Sequence, residues 1–239
     1  MIRSSISEID SQGDICILQI SNGKKNKITV PEFVEINELD NFIKTHNSKG
    51  LVITGNDRNF SDGADVSMID SCISNPEELT EKLRKGKELL YYIENLPIIT
   101  AAAINGACFG AGLEIALSCQ FRFSKSNAFF AFPEVSRGII PGMSGVERLT
   151  RLIGKSSAVK MALSGEMITA QQAFDSGLID EIVTDTSVLD SCLNFVNDLT
   201  ESRSLGQIKS IVMTANNSVT VNKFSDMDYF EQVLSDKKV

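Results

Sequence analysis

The stretch Asn105 to Gln120, NGACFGAGLEIALSCQ, constrains the fold of this chain more than any other. An apolar strand candidate, Ile98 to Ile104, runs into Gly106, Ala107, Gly110, Ala111 and Gly112 and then straight into a helical pattern that contains a single acid. Residues without side-chain bulk leave peptide N–H groups uncovered at a helix start, where the first-turn donors lack intrahelical partners and the dipole favours negative charge. Such a turn either holds an anion or oxyanion or lets two elements pack closely, and its spacing alone leaves both readings open.

The flanking patterns supply the frame. Ile15 to Ile20 reads as a short buried strand closed by the turn Ser21, Asn22, Gly23. Pro31 suits the first position of a helix, and Phe33, Ile36, Leu39 and Ile43 recur at helical spacing. Leu51 to Thr54 is the next strand, a long helix spans about Glu77 to Asn95, and Pro97 precedes the strand at Ile98. Strand, helix, strand, helix, strand is the order of parallel crossovers.

Downstream, Phe121 to Ser124 and Ala128 to Phe132 read as two short strands across the Lys125, Ser126, Asn127 turn, followed by short helices at Val146 to Leu152 and Ser156 to Leu163. Thr169 with Gln172 is a capping-box signature, and Gly177 suits a helix end. Two further helices, roughly Ser187 to Thr200 and Leu205 to Asn217, give an α/β core a helical C-terminal part, with the change between residues 185 and 205. Their stripes, Leu193, Phe195, Val196 and Leu199, then Ile208, Ile211 and Val212, either pack within the chain or mark an interface.

Several function classes fall away. A net charge of -8 argues against a protein that lives on phosphate-backbone contacts, so no nucleic-acid partner is expected. Five cysteines without a CxxC pair fit free thiols in a reducing compartment, cytoplasmic or matrix. The opening residues MIRSSISEIDSQGD carry no apolar h-region and no apolar run is long enough to span a bilayer, so no membrane part is expected. One histidine, His46, lies in a polar loop; no zinc-ligand spacing, phosphate loop or dinucleotide fingerprint occurs, so neither a metal nor a cofactor is expected.

Carboxylate chemistry remains. Glu114 sits two residues past Gly112 in an apolar run, where burying an acid is costly unless it is paired or used. Glu134 follows Pro133 at the end of a strand made almost wholly of Ala and Phe. Two such acids can hold one water and divide base and acid roles if their surroundings separate their protonation. A solvent-facing helix residue and a loop-start acid are the alternative.

FSDGADVSM (Phe60 to Met68), NGACFGAGLE (Asn105 to Glu114) and FPEVSRGIIPGMSGVERLTR (Phe132 to Arg151), in this order and spacing, resemble the linked signatures of the enoyl-CoA hydratase/isomerase, or crotonase, family. The resemblance runs from about residue 10 to 215 and includes SGEMITAQQAFDSGLIDEIV. It implies an α/β spiral of repeated ββα units, residues 1–190, and a helical trimerisation region, residues 191–239, that looks shortened at its end. It also implies a trimer or a dimer of trimers, the trimer being favoured.

Residue by residue, the resemblance implies that the Ala64 and Ala111 N–H groups form an oxyanion hole for a thioester carbonyl. Ala64, Asp65 and Val66 would lie against the adenine of coenzyme A, which enters as part of an acyl-CoA substrate. Glu114 stands where the family's water-activating glutamate stands, and Glu134 where the glutamate that handles the α-carbon proton stands. Ala111 replaces a usual Gly, and Gln120 a usual Asp. Lys24, Lys25 and Lys27 would meet the CoA phosphates or form a solvated turn, while Met68, Ile69 and Phe129 would line the acyl pocket or belong to the core. The pair of glutamates favours reversible hydration of a 2-enoyl-CoA to a 3-hydroxyacyl-CoA. The alternatives are an isomerase or dehydratase acting on a CoA or carrier-protein thioester, and an idle structural subunit.

Overall fold

The computed structural model describes residues 2–3, 6–67, 69 and 76–218. A seven-stranded sheet runs in the order β1 (Ile2–Arg3), β2 (Ser7–Gln12), β3 (Ile15–Ile20), β4 (Gly50–Thr54), β5 (Ile99–Ile104), β7 (Phe121–Lys125) and β10 (Glu181–Val183). The first two pairings are antiparallel and the other four parallel, which requires crossovers. Those crossovers contain α1 (Ile36–Thr45), α2 (Pro76–Glu94) and α3 (Ala111–Leu117).

Alternation along the strands explains why both faces are covered. Leu51 and Ile53 of β4 and Ala102 and Ile104 of β5 enter the main core, while Val52, Ala101 and Ala103 point the other way. The second face is closed by α7 (Val188–Thr200), whose Val188, Cys192, Leu193 and Val196 pack there. At Gly50 a Cβ would lie 2.4 Å from Val196 Cγ1, so the absent side chain is what lets α7 approach. The Leu193 and Val196 stripe is therefore covered within the chain. Phe195 sets its ring against Phe121 and Phe123.

A second, three-stranded sheet joins β6 (Ala107–Phe109), β8 (Phe129–Ala131) and β9 (Ile168–Thr169). Single bridges extend its rows, Ile28 to Ala64 and Ser61 to Cys108. Successive crossovers thus give one strand to the large sheet and one short extended piece to the smaller ladder. This is the spiral of repeated units that the family resemblance implies, followed by α8 (Leu205–Ser218) at the end of the described chain. The two strands expected around Lys125 to Asn127 both form, but they join different sheets. β7 pairs with β5 and β10, whereas β8 pairs with β6 and β9.

The first helix begins at Ile36 rather than near Pro31. Ile28 is bridged to Ala64 and the Phe33 carbonyl accepts from Ser7 Oγ at 2.6 Å, contacts that hold the intervening chain away from helical geometry. The Thr169 and Gln172 capping box forms reciprocally at the start of α6 (Ala170–Asp175), and Gly177 follows with φ 79°. Among the described residues no helix is long and apolar enough to cross a membrane, and no cluster of three His, Cys, Asp or Glu could hold a metal.

Candidate active site

The glycine-rich turn places α3 against two other segments. Gly110 adopts φ 50° and ψ -122°, and a Cβ there would lie 2.7 Å from Glu134 Oε1. Gly112 passes Ser61 as closely, and Gly63, at φ 92°, passes the Phe109 carbonyl. Residues 61–64 are thereby laid beside residues 107–111, which brings Ala64 and Ala111 to one small cavity.

The Ile28 N–H donates to the Gly63 carbonyl and the Asp65 N–H to the Ile28 carbonyl, so the N–H of Ala64 between them faces away from that bridge. Ala111 is the first residue of α3, where an N–H has no intrahelical acceptor.

Both glutamates reach the same cavity. Glu114 is 2 % exposed on α3, all seven residues of which are buried. Its Oε1 accepts from the N–H groups of Met143 and Gly145 at 2.7 and 2.9 Å. A Cβ at Gly145 would lie 2.7 Å from Glu114 Cγ, so that glycine is what admits the carboxylate. Burial pushes Glu114 up to about 7, against the Met143 and Gly145 donors and the charges of Arg148 and Lys87.

Glu134 lies in the 3-10 turn Pro133–Arg137. The residue is half-buried, yet its Oε2 is buried without a hydrogen-bond partner among the described residues. Burial first, and the neighbouring Glu114 charge second, push its carboxyl up to about 8. Two carboxyl groups with raised proton affinity thus face one cavity, held by different contacts.

The segment 143–145 that grips Glu114 is itself gripped. Arg148, on α4 (Gly145–Ile153) and 2 % exposed, donates Nη1 to the Met143 carbonyl and Nε to Glu94 Oε2 at 3.0 Å. Arg151 also pairs with Glu94, which ends α2. Two arginines on one carboxylate thus tie α2, α4 and the Glu114 anchor together.

Residues 10–239 match the sequence pattern of the family described as enoyl-CoA hydratase/isomerase. The chain belongs to that family. It is 38% identical over 145 residues to the fatty acid oxidation complex subunit alpha of Shewanella loihica, a match covering 60% of this chain and 20% of that protein. The chain thus spans only a small part of that relative's length. An enoyl-CoA hydratase from Thermoplasma volcanium superimposes with a TM-score of 0.81 at 29% identity, over 97% of this chain and 92% of that one. One from Polaromonas sp. JS666 gives 0.83 at 25% identity, over 97% and 91%.

Within this enoyl-CoA hydratase/isomerase fold, the other sequence-based site residues are placed unevenly. Ile69 lines the cavity. Phe129 does not, being 43% exposed on β8 while its neighbour Phe130 turns into the core, as strand alternation requires. Met68 lies outside the described residues. Val66 is half-buried, and Asp65 accepts from Lys27 Nζ at 3.0 Å. Lys25 faces Asp62 at 3.9 Å, and Lys24 is exposed. The loop holding these lysines is shaped by buried Asn26, φ 51°, whose amide donates to the Ile20 and Phe60 carbonyls.

Sequence reasoning missed most of the cavity wall, including Ile28, Leu79, Ile139, Ile140 and Met143. These residues look like ordinary core or loop positions. The one available signal was that Ile139 and Ile140 follow Glu134 within the recognised segment.

Proposed function

We propose that the chain adds water reversibly across the 2,3 double bond of a 2-enoyl-CoA, giving a 3-hydroxyacyl-CoA. In this reading the thioester carbonyl sits between the N–H groups of Ala64 and Ala111. Glu114 takes a proton from water as its oxygen bonds to C3, and the electron pair of the double bond moves toward the carbonyl. The negative charge that develops there is met by the two amides, fixed donors of the kind that dominate such catalysis. Glu134 then delivers its proton to C2, so one water has been added and the two acids have exchanged protonation states.

The observation that carries this reading is the asymmetry of the two carboxyl groups on one cavity. Glu114 Oε1 is held by two amides, while Glu134 keeps a buried oxygen without a partner among the described residues. A buried, unsatisfied acceptor is costly unless a substrate or proton uses it.

Exposed apolar residues, Met167, Phe174 and Ile211 among them, support assembly as a homotrimer or a dimer of trimers. Lys24 and Lys25, both exposed, are suited to the phosphates of CoA. The test is turnover of straight and branched 2-enoyl-CoA thioesters in oxygen-18 water. Incorporation of solvent oxygen at C3 is expected. Double-bond migration without solvent oxygen would overturn hydration in favour of isomerisation.

A further inference from the structure

The cavity that holds both glutamates has a volume of about 60 Å³. Ligand pockets usually enclose roughly 300–1,000 Å³, and one water occupies ~30 Å³ of the liquid. Beyond a thioester carbonyl, the chamber as built has room for only a few carbon atoms. Among the described residues its polar content is confined to the two carboxyl groups and backbone; Ile28, Pro31, Ile69, Leu79 and Leu83 supply apolar wall.

On the far side of one wall lies a second, larger apolar groove of about 370 Å³. Val135, Pro141, Val146, Val159, Ala162 and Leu163 give it its apolar lining, the last three from α5 (Lys155–Ser164), with Ser144 and Glu147 the polar residues on it. Among the described residues, only Ile139 and Ile140 line both spaces. Ile139 is 5% exposed and packs with Leu79, with Ile69, Leu83 and Ile140 against them, while Ile140 is half-buried.

The wall's position follows from the local chain path. Gly138 ends the 3-10 turn with φ 67°, a left-handed residue that reverses the backbone, and its N–H donates to the Val135 carbonyl at 2.9 Å. The next N–H, that of Ile139, returns to the carbonyl of Glu134 at 3.3 Å. The residue that walls the chamber is therefore bonded to the backbone of the residue that is to protonate the substrate.

We propose that Ile139 and Ile140 are the specificity-determining partition of this site, restricting it to short-chain 2-enoyl thioesters and separating it from a groove that would take a longer acyl tail. The proposal rests on the reading that Glu114 and Glu134 act on an enoyl thioester. On this proposal a straight C4 chain ends before the partition, whereas further methylenes have to displace one of the two isoleucines. Removing either side chain joins the spaces and gives the added methylenes apolar surface instead of a clash.

The test is the chain-length profile of kcat/KM for C4, C6, C8 and C10 2-enoyl-CoA with the wild type, Ile140→Ala and Ile139→Ala, run beside calorimetric binding of saturated acyl-CoA of the same lengths. A buried methylene is worth about fourfold. The wild type should lose at least tenfold from C4 to C8, and Ile140→Ala should raise the C8/C4 ratio by about tenfold or more, in turnover and in binding alike. Ile140 is half-buried, so its variant keeps the test available if truncation of the more buried Ile139 prevents folding. A wild type that prefers C10 to C4, or a folded Ile140→Ala protein with an unchanged C8/C4 ratio, overturns the partition. If no enoyl-CoA is turned over but acyl-CoA binding shows the wild-type preference for C4 and its loss in Ile140→Ala, the hydratase reading fails and the partition stands.

Discussion

Glu114 and Glu134 share a cavity but are built by opposite means. Glu114 stands on a helix whose every residue is buried, with one oxygen held by two backbone donors. Glu134 stands in a surface 3-10 turn with no buried residue, and its inner oxygen has no partner among the described residues. At Glu114 the negative form is favoured by two amide hydrogen bonds, whereas at Glu134 burial and the Glu114 charge favour the protonated form. Burial raises both carboxyl groups, two backbone amides oppose it at Glu114, and the neighbouring Glu114 charge adds to it at Glu134.

The largest effect should come from erasing the comparison. Glu114→Gln and Glu134→Gln keep size and remove a base or an acid, so each is expected to lower kcat by about a hundredfold or more. Steady-state hydration assays check this, and near-normal rates in both variants would remove the paired assignment.

A somewhat smaller loss is expected from Gly110→Ala. The new methyl group would meet Glu134 Oε1 at 2.7 Å on a positive-φ backbone, which costs on the order of 1–3 kcal/mol in strain. Turnover should fall by about ten- to a hundredfold. Glu114 should keep its anchor, so the rising acid limb of the rate against pH should stay in place.

Arg148→Lys acts on the other acid alone. A lysine cannot reproduce the fork that bonds both Glu94 and the Met143 carbonyl, so the 143–145 segment loosens its hold on Glu114. We expect about a tenfold lower kcat and an acid limb displaced to higher pH, because the lost donors had favoured the ionised form. An unshifted pH profile would show that Arg148 contributes only to stability.

The smallest effects sharpen the contrast through pH. If Glu114 must be ionised and Glu134 protonated, kcat/KM rises with pH through about 7 and falls beyond about 8. Stability runs differently, since a carboxyl whose pKa is raised on folding binds more protons in the native state than in the unfolded one. The stabilisation is complete below the ordinary glutamate range and declines as pH rises from there through about 8. Glu134→Gln should therefore melt above the wild type by a few degrees at pH 9, with the gap closing towards pH 5, as thermal unfolding would show.

Both acids were legible in the sequence because a carboxylate in an apolar setting is anomalous. The anchor was not, since Met143 and Gly145 act through backbone N–H groups, which carry no residue-specific mark, and lie 29 and 31 residues away. Phe129 misled because alternation on a three-residue strand has no phase until the pairing with β6 and β9 is known. Lys27 looked like a free cation until folding set Asp65 beside it.

What the sequence determined by itself was local: most helix and strand stretches, where the capping box falls, and that the turn before α3 leaves backbone uncovered. These follow from periodicity, side-chain bulk and caps, all properties of a few consecutive residues. Tertiary structure alone decided that β7 and β8 belong to different sheets, that Leu193 and Val196 are covered by the back of the large sheet, and that two isoleucines divide two cavities. An apolar stripe records that a face must leave water, because the hydrophobic effect is non-directional. What covers the face is fixed only when elements distant in sequence compete for it.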